Sequence, residues 1–415
     1  MIEVRKKEMQ YVQEKAIRIL NKTIDELPEY IREDDTFMFV YKKRKNSLWI
    51  RAYLVWKASK MIKGITISDE IIFKISSAVE MLIMSTYSNN ILIDKKLVFE
   101  RRVSPEDVST KLSLANNIFL AKTIQILSEL PCAQELMKEF YKVVEIFYIG
   151  QYINCYIVDY KHFDRVLEEP PLALTPVLES ILKSEVFHEV KSIIEPLVPL
   201  NKQQVDNYLK NQLTRLYAIN AHMIERFLLM PLLCVNSKEE RTLNKLAMIG
   251  SLYGIGMQIV NDIIDFSLPN MCVEIPMKSS SDFFNDLSWG IITIPVFLGM
   301  FGKKSRDKIV RVLENIDHYF GEPHLIKNKE DILFALMEDA VIKKSLKIAG
   351  VFLKEARRIS EELLGRDESL DDVFNIHKDS KFVVSIFRWY RRAKKEGRDG
   401  KRSEAGILEK PMGRS

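Results

Sequence analysis

The chain has 415 residues, 47% hydrophobic and 29% charged, the balance of a folded protein with a sizeable core, which argues against wholesale disorder. Its net charge of +5 is unevenly placed: residues 388 to 415 hold ten Lys or Arg and four Asp or Glu, a surplus of +6, so the body stands at −1 and is not a nucleic-acid binder by charge. Four scattered cysteines, Cys132, Cys155, Cys234 and Cys272, form no CxxC pair and have no His at metal-ligand spacing, so neither a zinc site nor a disulfide framework is expected and burial as small hydrophobes is.

The N-terminus, MIEVRKKEMQYVQEKAIRIL, mixes both charge signs where a secretory signal needs an apolar run. No charge-free stretch exceeds 16 residues, and the one from Leu287 to Gly302 is broken by Gly290 and Pro295, too short for an ordinary membrane span. A cytoplasmic protein is expected.

Apolar residues recur at three- and four-residue spacing, whereas β-branched alternation between tight turns is nearly absent. The spacing predicts helices over 71–94, 111–130, 137–158, 207–234, 238–266 and 339–364, an all-α chain. Several are apolar on more than one face, as in IFYIGQYINCYIV at 146–158, which suits central helices of a bundle. Breakers cluster at 168–176, 196–199 and 267–281. The expected organisation is one bundle over residues 1–390 with an insertion at about 160–205, then a basic tail, 391–415, disordered from about Ala393 and either solvated or touching an anionic partner or membrane surface.

One stretch of the 238–266 helix, GMQIVNDIIDF, sets Asp262 and Asp265 among apolar residues, where an ionised carboxylate costs several kcal/mol unless something pairs with it. Asn261 and Asp265 are four apart and share a face with Asp262 alongside, so a hard cation such as Mg²⁺, or a salt bridge, would account for them. A second apolar helix ends in Asn90 and Asp94, again four apart, and is followed by Arg101 and Arg102, whose planar forks suit phosphate oxygens.

Taken in order, several segments resemble the trans-isoprenyl diphosphate synthases (polyprenyl synthetases) and their relatives the class I terpene synthases. AVEML at 78–82 resembles the family's AVEL helix start, and ten residues after Glu80, NILID (Asn90 to Asp94) stands where DDxxD is expected. RRVSP (101–105), GQYIN (150–154), QIVNDIID (258–265) and DLSWGIITIP (286–295) are similar to RRGxPT, GQxxD, QxxDDxxD and DLxxGxxTLP, and SLWIRAYLV (47–55) sits where GKRLRPLLV would be.

The resemblance implies an isoprenoid-synthase-type helical bundle around a central apolar cavity, and up to three Mg²⁺ ions gripping an allylic diphosphate. It assigns catalysis to Asp94, Asp262 and Asp265, metal ligation to these with Asn90 and Asn261, and diphosphate binding to Arg51, Arg101, Arg102 and Gln258. Asp286 and Lys278 would support them from behind. Small Ser85 and Thr86 would leave cavity space, and a homodimer, or a heterodimer with a related subunit, is usual.

The sequence departs from the pattern at Asn90, Ile91, Asn154 and Asn261, where acids are expected, and at Leu48, Trp49 and Ile291, where the family carries basic residues. The helix near Asn220 and Ala221 lacks the family's Lys-Thr pair. Fewer acids and an acceptor site stripped of cations imply one bound diphosphate rather than two. Three readings follow: an enzyme ionising one prenyl diphosphate and cyclising the cation or passing it to an acceptor; a polyprenyl diphosphate synthase elongating with isopentenyl diphosphate; and a non-catalytic subunit of a prenyl synthase.

Overall fold

Each apolar run of helical spacing folds as a helix. The computed structural model describes residues 2–45, 49–61, 66–93, 105–171, 173–235, 239–268, 271, 283–379 and 381–396; Asp94, Arg101, Arg102, Cys272 and Lys278 lie outside these. The main helices are α1 (Ile2–Asp25), α2 (Asp35–Lys45), α3 (Ile50–Met61), α4 (Asp69–Ile93), α5 (Pro105–Ser128), α6 (Ala133–Tyr156), α7 (Lys202–Leu216), α8 (His222–Leu233), α9 (Glu240–Ile264), α10 (Val341–Leu364) and α11 (Lys381–Lys395). Among the described residues there is no strand, only an isolated bridge between Asp159 and Ile291.

Local chemistry sets the boundaries. Asp69 and Glu70 complement the dipole in the first turn of α4, and α7 opens with a reciprocal capping box in which Asn201 Oδ1 accepts from the Gln204 amide at 2.9 Å and Gln204 Oε1 from the Asn201 amide at 3.1 Å. Helices α4 and α9 are buried on nearly every side, as the all-round apolar pattern requires of central helices; α4 packs chiefly on α5 and α3, α9 on α10 and α8.

Between α7 and α8 the chain widens into a π-helical turn, Tyr217–Ala221, and two neighbouring helices press on it. A Cβ at Gly150 of α6 would stand 2.7 Å from Ala218 Cβ, and one at Gly254 of α9 would stand 2.4 Å from Ala221 Cα, so only glycine allows this approach. The turn is therefore held at the crossing of the GQYIN and QIVNDIID helices.

The 160–205 segment is part of the bundle. Its helices Phe163–Glu168, Pro176–Leu182 and Glu185–Ile194 bury Val166, Leu178, Ile181, Val190 and Ile194, and the Asn207 and Asn211 amides of α7 donate to the carbonyls of Val166, Leu167, Glu168 and Glu169 at 2.8–3.1 Å. The cysteine expectation is corrected: Cys132 and Cys234, 102 residues apart, form a disulfide joining the start of α6 to the end of α8, a pairing that spacing along the chain cannot show.

Candidate functional site

Helix α9 carries Gln258, Asn261, Asp262 and, just past its end, Asp265, at the end where the GQYIN helix also finishes. Asn261 is exposed and Gln258 half-buried, whereas Asp262 and Asp265 are 2% and 7% exposed. The question the sequence raised about these acids has two different answers.

Asp262 is paired with an arginine. Its Oδ2 accepts from Arg215 Nη2 of α7, and both side chains are 1% exposed. Gln258 Nε2 donates to the other oxygen at 3.0 Å, and Arg215 is further held by Asn154 Oδ1 at 3.0 Å and Gln212 Oε1 at 3.2 Å. Gln212 in turn donates to the Ile292 carbonyl, so three helices and the 286–295 segment meet in one cluster. Burial pushes the Asp262 carboxyl above the ordinary carboxylate range, against Arg215 and Gln258, which pull it down.

Asp265 instead caps backbone. Its Oδ1 accepts from the Asn285 amide and its Oδ2 from the Asp286 amide, each at 3.1 Å, at the start of the short helix Asn285–Ser288. The Phe284 amide donates to the Asp265 carbonyl at 2.7 Å. Lys329 stands nearby, its Nζ on the Phe283 carbonyl at 3.1 Å; burial lowers its ammonium pKa while Asp265 draws it back up. Gly290, at φ +72°, turns the segment so that the Tyr160 amide donates to its carbonyl at 2.8 Å.

The described residues do not present the ligands of a ready Mg²⁺ cluster. No group of three or more His, Cys, Asp or Glu converges among them, and the oxygens of Asp262 and Asp265 already serve a guanidinium, an amide and two backbone N–H groups. Of the first motif, Asn90 lies in the last turn of α4, half-buried, with its Oδ1 unpartnered. Asp94, Arg101, Arg102 and Lys278 fall outside the described residues, and the Asp286 side chain is half-buried.

Arg51 is turned inward: its Nη2 donates to Asn220 Oδ1 at 2.7 Å, Asn220 Nδ2 passes on to the Gly254 carbonyl at 2.8 Å, and Arg51 Nε is without a partner. Burial lowers the Arg51 pKa, and nearby Arg44, itself paired with Glu80, adds to that. Among the described residues Ser85 and Thr86 border only a small gap: Ser85 donates to Asn116 Oδ1 at 2.8 Å, Thr86 to the Ile83 carbonyl at 3.1 Å, and the space they share with Phe147 and Tyr148 is about 10 Å³, room for about one water. A larger cleft of about 360 Å³ opens on the other side of α6 and α7, lined by Ile153, Ile157, Asn211, Thr214 and residues of the 160–175 segment.

Arg215 is not among the residues expected from the sequence, where the family's Lys-Thr pair is expected five residues further along, at Asn220 and Ala221. The available signal was the requirement itself: a buried Asp262 demands a cation, and Arg215, between Leu213 and Leu216, lies in a helix with a strong apolar face. His222 is 1% exposed and bonded through Nδ1 to the Tyr217 hydroxyl at 2.9 Å within a buried group that includes Glu225 and Ser251.

No protein-family model matches the sequence, and no curated protein sequence is significantly similar to it. Solved structures do match. A polyprenyl synthase from Caulobacter crescentus CB15, complexed with calcium and isoprenyl diphosphate, superposes with a TM-score of 0.63 over 91% of this chain and 97% of its own, at 12% identity. The heptaprenyl diphosphate synthase of Staphylococcus aureus gives 0.56 over 94% and 98%, and the octaprenyl pyrophosphate synthase of Helicobacter pylori 0.52 over 89% and 99%, both at 17% identity. Nearly the whole of each matched chain is spanned, and the fold of this protein is that of the trans-isoprenyl diphosphate synthases.

Proposed function

We propose that the chain is a prenyltransferase-type enzyme that binds one prenyl diphosphate at the Asp262–Arg215 end of the bundle. The observation that carries this is the buried ion pair. Burying two charges costs several kcal/mol even when they are matched, and a helix bundle that needed only stability would gain as much from apolar side chains there. A cation held one layer below exposed Asn261 and half-buried Gln258 and Asn154 is suited to an incoming anion. The matched Caulobacter protein, whose structure holds isoprenyl diphosphate, supports this choice of ligand class.

In this reading Arg215 exchanges Asp262 for the diphosphate. The allylic C–O bond breaks heterolytically, the electron pair leaves with the diphosphate, and the guanidinium stabilises the charge that develops on it. The carbocation then loses a proton, cyclises or is captured by an acceptor, shielded from water by the apolar helices. Because the described oxygens do not preform a metal cluster, no step is assigned to Mg²⁺. Elongation with isopentenyl diphosphate is disfavoured: Arg51 is tied to Asn220, and Leu48 and Trp49 replace the basic pair.

A second reading, a non-catalytic subunit, is favoured by Asp265, both of whose oxygens serve backbone. Either reading accommodates a dimer: Tyr141, Tyr148, Tyr152 and Tyr156 lie 40–61% exposed along α6, with Leu114 of α5 at 56%, a stripe fitted to a second chain. Diphosphate release and products from C10, C15 and C20 allylic diphosphates, with and without isopentenyl diphosphate and divalent cation, test the proposal. Turnover without isopentenyl diphosphate, lost in Asp262→Asn and reduced in Arg215→Lys, is expected. Turnover appearing only when a partner chain is added would establish the subunit reading instead.

A further inference from the structure

Away from the Asp262 cluster, α10 and α11 enclose a groove of about 1190 Å³. Its wall on α10 runs from Lys343 to Arg357, fifteen residues spanning about 21 Å, about four turns of helix. Lys343, Lys347 and Lys354 stand along this wall at helical spacing and are exposed, and Lys378, Arg388 and Arg391 face them from the other side, also exposed. None of these six makes an ion pair among the described residues, and Glu189 is the one acid in the lining. The floor is apolar: Val351, Phe374 and Val383 are buried and Phe387 half-buried.

The arrangement discriminates among anionic partners. A single-headed amphiphile needs cations at one end and apolar surface along the rest, whereas here cations line both rims for the whole length. A membrane surface is flat and is gripped by exposed apolar side chains, but α11 turns Val383 and Ile386 into the protein. A nucleic acid offers phosphates and polar edges and leaves an apolar floor unused. An amphipathic helix with acids on both flanks of its apolar stripe satisfies floor and rims together.

We propose that this groove seats an acidic amphipathic helix of a partner protein, its apolar stripe on Val351, Phe374 and Phe387 and its carboxylates on the Lys343–Lys354 and Arg388–Arg391 rims. The test uses the full chain and a labelled synthetic helix of about 18 residues, Leu on one face and Glu on the flanks, read by fluorescence anisotropy at low and physiological salt. A scrambled peptide of the same composition and vesicles of phosphatidylcholine with phosphatidylglycerol are the competing probes.

The amphipathic peptide is expected to bind about tenfold or more tighter than the scrambled one, and to lose about tenfold in Lys347→Glu/Lys354→Glu. The milder Lys347→Gln/Lys354→Gln should lose less, and Lys42→Glu/Lys138→Glu, an equal charge change at exposed lysines of α2 and α6, should lose little. Equal binding of the scrambled peptide, or equal loss in the α2/α6 control, overturns the proposal. So does vesicle binding that depends on Lys347 and Lys354 while the peptide is indifferent to them, which would assign the face to a membrane.

Discussion

Two regions of this protein concentrate charge in opposite ways. Around Asp262 the charges are buried and matched, each carboxylate oxygen and each guanidinium nitrogen directed at a named partner on its own or a neighbouring helix. Along the α10–α11 groove they are exposed and predominantly of one sign, with Glu189 the one acid in the lining and no ion pair formed by the six rim cations among the described residues. The difference teaches where electrostatics serves the chain's own structure and where it is turned outward. A buried unmatched charge is intolerable, so the interior cluster must be complete within the chain; an exposed one costs little, so a groove can wait for a partner.

The sharpest way to break the contrast is Arg215→Leu, which strands Asp262. A loss of about 3–5 kcal/mol is expected in chemical denaturation, and adding Asp262→Leu should restore most of it. If the single variant is near-neutral, the pair is not the matched interior couple described above. Next in size, Asp265→Ala removes the cap from Asn285 and Asp286 and should cost about 1–2 kcal/mol, with faster amide exchange confined at first to the 284–291 segment.

Glu338 lies between these extremes. It is held down to about 2 from an ordinary 4.5 by Lys304, at 2.7 Å, and by the Tyr390 hydroxyl of α11. A depressed carboxyl contributes stability above its unfolded value and loses it as pH falls through the folded one. The grip on α11 should thus be intact above about pH 4.5 and fade toward pH 2, and Glu338→Gln should remove that dependence from amide exchange in 381–395. The smallest effect is expected in the groove: Lys347→Glu/Lys354→Glu should shift unfolding free energy by less than about 0.5 kcal/mol, since both side chains are exposed and unpaired.

Much of the architecture was legible beforehand. The six predicted helices appear at 69–93, 105–128, 133–156, 202–233 with its π turn, 240–264 and 341–364, because apolar periodicity is local and survives into the folded chain. The acids at Asp262 and Asp265 were also recognisable as needing partners. Their partners were not legible: Arg215 is 47 residues from Asp262, and the backbone amides that Asp265 caps belong to a segment twenty residues on.

The sequence by itself determined an all-α bundle, the order of its motifs and the presence of costly acids within it, since helix spacing and burial cost are properties of neighbouring residues. Only the tertiary structure decided that Asp262 meets a guanidinium, that Asp265 caps a short helix, that Cys132 joins Cys234, and that two basic helices leave a groove between them. Each of those depends on which distant side chains the packed helices bring within a few ångströms, which the three- and four-residue rhythm of a helix does not encode.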